Sequence, residues 1–350
     1  MTSNQPIAPQ DLAHILEHTR PLWQELRGRS LFITGGTGFI GRWLLESFLH
    51  ANQTLRLGAR AVVLSRDPQK FLSAAPFFAD QPTLTFIQGD VRAFDFPPGA
   101  FPYIIHAATE SSVNPLDGDY RGLFDTIVEG TRRTLQFAAD RGGEKLLFTS
   151  SGAVYGRQPA DMTHMPEDHP GAPDPTAPSS AYGEGKRAAE LLCALAAANS
   201  PLQVKIARVY ALVGAHMPLD IHFAMGNFVR DALKGGPVVV QSDGTPQRSF
   251  LYIADLAIWL WTMLFKGRSG RAYNAGSDQA ISIADLAHTV SATRNPPAPV
   301  EIRGAPNPAR PVERYVPDTR RAREELGLQV YIPLPEALAR TLAFYESDHD

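Results

Sequence analysis

The sequence predicts an α/β protein built on a doubly wound parallel sheet, and three observations carry that prediction. Leu31–Gly41, LFITGGTGFIG, is an apolar strand that runs through a glycine-rich turn straight into a helix. Short aliphatic runs recur after it, at Ala61–Leu64, Thr83–Ile87, Tyr103–His106, Lys145–Ser151 and Val204–Val209. Segments of helical period lie between them, among them Asp125–Arg141 and Tyr182–Ala198. Buried strands alternating with helices are the pattern of parallel βαβ units.

Composition sets the outer bounds. The chain has 350 residues, of which 44% are hydrophobic, enough for one large domain or two modest ones. A formal net charge of −3 without long Lys/Arg runs argues against nucleic acid or a membrane surface as partner. Cys193 is the one cysteine, so no internal disulfide framework exists and a reducing compartment is expected. The first twenty residues lack the apolar core of a signal peptide, and the longest apolar stretch, Leu256–Phe265, is too short to span a bilayer. A soluble, cytoplasmic protein is expected.

Taken in order, Asp11–Leu26 reads as an amphipathic helix that Pro21 breaks or kinks, with Leu12, Ile15, Leu16, Leu22, Trp23 and Leu26 apolar. His14 and His18 stand at a spacing that can hold zinc, but no third ligand is near, so a solvated helix face is expected and no metal. In the glycine turn, Gly35 and Gly36 permit the bend, Gly38 lets backbone approach a diphosphate, and Gly41 lets helix pack on strand. The helix opening at Phe39 and Ile40 offers free N–H groups and a partial positive charge to phosphates. A dinucleotide site follows. Beyond Val213 the pattern changes to helices at Asn227–Lys234, Ile253–Lys266 and Ile283–Thr293 and a strand at Val238–Val240. Arg294–Pro311, with six prolines, reads as an irregular surface connection.

Tyr182 and Lys186 in YGEGK stand four residues apart on one helix face. A lysine beside a tyrosine favours phenolate, which turns the phenol into a base near neutral pH. Thr149-Ser150-Ser151 ends a strand that should deliver a hydroxyl to the same cleft.

With these residues in hand, the chain resembles the extended short-chain dehydrogenase/reductases, specifically the NAD(P)-dependent nucleotide-sugar epimerase/dehydratase family. The resemblance runs from Ser30 to about Tyr345. TGGTGFIG (Thr34–Gly41), Gly89–Val91, HAATESS (His106–Ser112), SSGAVYG (Ser150–Gly156) and YGEGK (Tyr182–Lys186) appear in the family's order. RSFLYIADLA (Arg248–Ala257) and RPVERYVPDTRRAREELG (Arg310–Gly327) resemble its nucleotide-sugar branch. The resemblance implies a Rossmann-like fold with a smaller C-terminal substrate-binding lobe. It makes Ser151 the partner of the reacting sugar oxygen and Tyr182 the general base or acid. Lys186 would depress the tyrosine pKa and hold the nicotinamide ribose. Asp90 and Val91 would contact adenine, while Ala107 and Ala108 would line the cofactor cleft. Arg248 and Arg310 would bind the diphosphate of a nucleoside-diphosphate sugar. Paired helices, with Asp125–Arg141 and Tyr182–Ala198 as candidates, imply a homodimer.

Two departures from the family matter. Its dehydratases and decarboxylases usually carry Thr-Asp-Glu or Thr-Ser-Glu where this chain has Ser151-Gly152-Ala153, so 4,6-dehydration is disfavoured. Glu110-Ser111-Ser112 nevertheless resembles the Glu-Ser-His of the dehydratases. NAD-specific members place an acidic residue at the end of the second strand, where this chain has Ser65 and Arg66; a guanidinium suits a 2′-phosphate, and NAD(P) leans towards NADP.

Gly156–Ala181, also with six prolines, must pass near the active site and reads as a rigid rim carrying His164 and His169. His216, His222 and Asn227 are candidates for contact with the sugar or base. The expected organisation is an N-terminal helical extension at 1–28 and a cofactor domain at 29–212, to which about 251–281 returns. The substrate lobe takes 213–250 and 282–350. The expected activity is hydride transfer at a sugar carbon, C4, giving epimerisation, with reduction of a 4-keto-sugar by NADPH as the alternative. A cofactor-binding regulator without turnover is disfavoured, because Ser151, Tyr182 and Lys186 are kept together.

Overall fold

The computed structural model describes residues 5–109, 118–219, 223–307 and 309–347. Glu110, Ser111, Ser112 and His222 lie outside the described residues. Helix α1 covers Pro9–Thr19, and Pro21 ends it as expected: the chain tightens into a 3-10 turn over Arg20–Leu26. There follow β1 (Ser30–Thr34), α2 (Phe39–Leu55), β2 (Arg60–Ser65), α3 (Pro68–Ala74) and β3 (Leu84–Gln88). Next come β4 (Tyr103–His106), α4 (Tyr120–Asp140), β5 (Lys145–Ser151), α5 (Ala181–Asn199) and β6 (Gln203–Val209). Elements then shorten: β7 (Leu212–Val213), α6 (Ala224–Leu233), β8 (Val238–Val240), β9 (Gln247–Arg248), β10 (Leu251–Tyr252) and the long α7 (Ile253–Lys266). The remainder is β11 (Arg271–Ala275), β12 (Ile281–Ser282), α8 (Ile283–Ser291), β13 (Val300–Ile302), β14 (Arg314–Tyr315), α9 (Arg320–Leu326) and α10 (Leu334–Glu346).

Within the described residues the main sheet has seven parallel strands in the order β11-β6-β5-β4-β1-β2-β3. The chain walks outward from β1 to β3, returns to lay β4 beside β1, and then walks the other way. That reversal opens a crevice at the carboxyl ends of β1 and β4. Both faces of the sheet are covered, and the period-two alternation of the strands decides which residue meets which layer. Leu31 and Ile33 enter one core, with Trp43, Phe48 and the apolar face of α7. Phe32 enters the other, where its ring lies 4.2 Å from Phe137 of α4 and 5.5 Å from Phe94.

Arg294–Pro311 is not wholly irregular, which corrects the sequence expectation. β13 forms within it and pairs in parallel with β8, Val300 opposite Val238. Its prolines flank the strand and leave Val300, Glu301 and Ile302 free to bond, so a three-residue strand survives in a proline-rich segment.

The N-terminal segment also departs from expectation. His14 and His18 do not form a solvated face. His14 Nε2 lies 3.0 Å from Asp255 Oδ1, with its side chain 18% exposed, and the ring of His18 sits 3.9 Å from that of Tyr331. Asp255 accepts further hydrogen bonds from the amides of Tyr331 and Ile332, at 2.8 and 3.0 Å. Three residues upstream of Asp255, Tyr252 donates to Asp11 at 2.7 Å, and Asp11 also pairs with Arg340 of α10. Trp23 completes the junction, its ring 4.5 Å from Trp261 of α7. These partners lie more than two hundred residues away along the chain, so local periodicity could not reveal them.

Candidate active site

The glycine turn after β1 is shaped by backbone, residue by residue. Gly35 has φ +72°, and a Cβ there would stand 2.5 Å from the Ala107 carbonyl. A Cβ on Gly41 would stand 2.2 Å from the Gly35 oxygen. Gly38 differs: its φ is −87° and its nearest protein neighbour would be 3.4 Å away. The first two glycines are therefore demanded by the fold, while Gly38 leaves room for something that is not protein. Helix α2 starts there without a side-chain cap, so the first-turn amides around Phe39, Ile40 and Gly41 remain available to an anion.

This turn forms one wall of a cleft of about 1140 Å³. Gly35, Gly38, Phe39, Ile40 and Gly41 line it, as do Ser65 and Arg66 at the end of β2. Asp90 and Val91 beyond β3, and Ala107 and Ala108 beyond β4, complete this half. Arg92 also reaches the cleft and grips Asp90 through two hydrogen bonds of 2.9 and 2.7 Å, which hold the Asp90 carboxyl below its ordinary value. Behind Ala107 the His106 ring links β1 to α4, with Nδ1 2.7 Å from Thr34 Oγ1 and Nε2 3.0 Å from Thr131 Oγ1. Burial, helped by the Lys186 charge, lowers the His106 pKa to about 3, so the ring is neutral.

Ser151, Tyr182 and Lys186 converge on the other half of the cleft. Register places Ser151 at the carboxyl end of β5, and one helical turn separates Tyr182 from Lys186 on α5. Lys186 is 2% exposed, and its Nζ donates to Thr109 Oγ1 and to the Thr149 carbonyl, each at 2.7 Å. Burial lowers its pKa to about 7, with the Glu190 carboxylate acting in the opposite direction. Lys186 Nζ stands 6.0 Å from the Tyr182 ring centre, held by the carbonyl at the end of β5. Burial raises the Tyr182 pKa, with the Ser151 hydroxyl acting in the opposite direction.

Asn227 of α6 and Arg248 of β9 line the same cleft. Arg248 bonds Glu313 at 2.7 Å. Arg310 is exposed and stands outside the cleft lining. So do His164, His169 and His216: His164 Nε2 lies 3.0 Å from the Asp278 carbonyl, and His216 packs against Phe344.

Among the cleft residues that the sequence argument does not single out are Tyr210 just beyond β6 and Tyr315 on β14. Their rings lie 4.6 Å apart over Gly152, where a Cβ would stand 2.6 Å from the Tyr315 oxygen and from Tyr210 Cζ. The glycine that departs from the family pattern is thus explained by the phenols that take its space. Gly152 was the one local signal.

A narrow cradle with free helix amides, opening onto a hydroxyl–phenol–ammonium group, fits the diphosphate and nicotinamide ends of a dinucleotide. The sequence agrees: the model of the NAD dependent epimerase/dehydratase family matches residues 31–276. The chain belongs to this family. Among its relatives, UDP-glucuronic acid decarboxylase 3 of Arabidopsis thaliana is 29% identical over 319 residues, covering 88% of this chain and 86% of the relative. UDP-glucuronic acid decarboxylase 5 of the same plant is 30% identical over 318 residues, with the same two coverages, 88% and 86%. Among solved structures, a UDP-glucose 4-epimerase from Thermotoga maritima shares the fold with TM-score 0.75 at 20% identity, over 92% of this chain and 100% of that one. DesIV, a dTDP-glucose 4,6-dehydratase from Streptomyces venezuelae solved with NAD bound, gives TM-score 0.75 at 25% identity over 91% and 97%. The chain thus belongs to a family of NAD-dependent enzymes and has a Rossmann-like sheet. No helix among the described residues is long and apolar enough to cross a membrane.

Proposed function

We propose that the protein is an NAD(P)-dependent nucleotide-sugar epimerase or oxidoreductase acting at a sugar carbon, C4, with Tyr182 as base. The observation that carries this is the convergence of Ser151, Tyr182 and Lys186 on the cleft that also contains the glycine cradle. Gly38 and the start of α2 would hold the diphosphate of the cofactor, which would supply reversible hydride transfer. Tyr182 Oη takes the proton of the sugar hydroxyl, and Ser151 Oγ steadies the same oxygen. Lys186 keeps positive charge near the developing phenolate. The C-terminal elements hold the nucleotide: Arg248 exchanges Glu313 for the diphosphate, and Asn227 faces the sugar or base. Turning of the 4-keto-sugar between oxidation and reduction inverts C4.

Ala153 stands where the family's decarboxylases and dehydratases usually carry Glu, which supports simple hydride transfer over elimination. A second reading, single reduction of a 4-keto-sugar by NADPH, is favoured by Arg66 and Arg92 at the adenosine end of the cleft. Two guanidiniums suit a ribose 2′-phosphate. Arg66→Ala should then weaken NADP by about tenfold while leaving NAD within twofold; equal losses for both cofactors would remove the case for NADP. A homodimer through α4 and α5, where Leu191 is 61% and Leu195 50% exposed, is part of the same proposal.

The deciding experiment is turnover on a panel of UDP-, dTDP-, GDP- and CDP-sugars, UDP-glucuronic acid and 4-keto-sugars, comparing wild type with Tyr182→Phe. Wild type should convert at least one, and the variant should lose about 10²–10⁴ in rate, the range for general base catalysis. Equal product from both would end the catalytic assignment. Carbon dioxide released from UDP-glucuronic acid would place the activity with the decarboxylases instead. Stoichiometric NADPH consumption would separate reductase from epimerase.

A further inference from the structure

The Lys186 ammonium opens a chain of hydrogen bonds that runs away from the cleft and ends inside α4. Its Nζ donates to Thr109 Oγ1 at 2.7 Å, and Thr109 Oγ1 donates to the Ala108 carbonyl at 2.7 Å. The amide of Ala108 in turn donates to Thr34 Oγ1 at 3.2 Å. Pairing of β1 with β4 sets Thr34 opposite His106, and Thr34 Oγ1 meets Nδ1 of the ring at 2.7 Å. On the other side of the ring, Nε2 lies 3.0 Å from Thr131 Oγ1, which donates to the Ile127 carbonyl at 2.7 Å. Thr34, His106 and Thr131 are buried, and all three lie outside the cleft lining.

Both ends of this chain are fixed, because an ammonium can only donate and a carbonyl can only accept. The Thr131 hydroxyl spends its one proton on Ile127, so towards His106 it can only accept, and Nε2 must carry the ring proton. Burial keeps the ring neutral, which leaves Nδ1 as an acceptor. Thr34 Oγ1, already accepting from the Ala108 amide, gives Nδ1 its proton. Thr134 Oγ1 stands 3.5 Å from Nδ1, but its own proton goes to the Gly130 carbonyl at 2.8 Å. A ring protonated on Nδ1 instead would leave the Thr34 hydroxyl proton with no acceptor among the described residues, and a buried donor left so is costly.

We propose that His106 is a positioning residue, protonated on Nε2 alone, that fixes the backbone of Ala108 and, through Thr109, the Lys186 ammonium. This rests on the reading of the cleft as the NAD(P) site. Ala108 is gripped at both of its polar backbone groups, and the Ala107 carbonyl beside it closes over Gly35. His106 thus sets the wall facing the glycine turn and the lysine at the far end of the cleft without touching either ligand. Every donor in the chain points the same way, so each bond polarises the next.

The tests need no turnover. Nitrogen NMR of the His106 ring, identified by its absence in His106→Gln, should show Nε2 protonated and Nδ1 bare near neutral pH; a proton on Nδ1 would overturn the proposal. Thr131→Val keeps the shape but removes the acceptor of Nε2, and its NADH dissociation constant should rise about fivefold, the worth of one hydrogen bond. Unchanged affinity would overturn the proposal as well. His106→Asn and His106→Gln separate positioning from packing. The Asn Oδ1 takes the place of Nδ1 and accepts from Thr34, whereas the Gln amide reaches the place of Nε2 and keeps only the Thr131 bond. Asn leaves the larger cavity and should melt lower, yet it should bind NADH about threefold more tightly than Gln does. NADH affinities that instead follow the melting temperatures would leave His106 a packing residue. A wild-type protein that binds neither NADH nor NADPH would sink the cofactor reading itself, which the tautomer measurement does not touch, so the two failures are distinguishable.

Discussion

Alanine at Gly35 and alanine at Gly38 add the same methyl group three residues apart and should do opposite things. At Gly35 the new Cβ meets the Ala107 carbonyl at 2.5 Å with φ +72°. Left-handed backbone costs an L-residue about 1–2 kcal/mol, and overpacking adds about 1–3 kcal/mol, for a loss near 2–5 kcal/mol. At roughly 2.1 cal/mol/K of unfolding entropy per residue, a chain of 350 residues loses about 1.4 °C per kcal/mol. Gly35→Ala should therefore melt about 3–7 °C lower. At Gly38 the Cβ meets nothing nearer than 3.4 Å, so the cofactor-free protein should melt within about 1 °C of wild type. Its methyl group instead occupies the approach to the helix amides. Loss of one hydrogen bond to a charged diphosphate, about 2 kcal/mol, raises the NAD dissociation constant about thirtyfold. Differential scanning calorimetry of the cofactor-free proteins and calorimetric titration with NAD measure the two quantities separately. Equal melting losses for the two variants, or unchanged NAD affinity in Gly38→Ala, would refute the division of the turn into a structural half and a binding half.

Asp255→Ala should destabilise the protein by about 3 kcal/mol in urea unfolding, because it strands the amides of Tyr331 and Ile332 and removes the partner of His14; a change below about 1 kcal/mol would mean that solvent reaches those amides. Acid should also weaken the fold. His106 and His216 are lowered from 6.5 to about 3 by burial, so between those values the unfolded chain binds protons that the native chain refuses. Stability is complete above pH 6.5 and falls as pH drops, by up to about 1.4 kcal/mol per pH unit for each ring. The urea midpoint should decline from pH 7 to pH 5, less steeply in His106→Gln, and a flat midpoint in wild type would disprove the neutral assignment.

The sheet was largely legible because its central strands β1, β4 and β5 bury both faces and so write themselves as nearly uninterrupted apolar runs. YIIH and KLLFTSS needed no context to be read. The cofactor turn was legible because its requirements are local, a glycine wherever backbone meets backbone. β7, β9, β10, β12 and β14 are two-residue pairings with no periodicity to detect, and β13 hides between prolines. The candidate site divides along the same line. Ser151, Tyr182 and Lys186 announce themselves by position at a strand end and on a helix face. Tyr315 lies 164 positions beyond Ser151 and is brought to the same cleft by β14 pairing with β9, a contact that no stretch of sequence specifies. The lysine–tyrosine spacing was right, yet the ammonium turned to a strand-end carbonyl, a choice made by tertiary geometry.

The junction around α1 also has a bearing on order in time. Its binding partners are residues far down the chain: Asp255 for His14, Trp261 for Trp23, Tyr331 for His18 and Arg340 for Asp11. Gln5 and Ser347, joined by a 2.9 Å hydrogen bond, are separated by 342 positions. On a ribosome α1 emerges before any of these exists. α1 can pack early against α2, but these fastenings wait until the residues from Asp255 to Arg340 have been made.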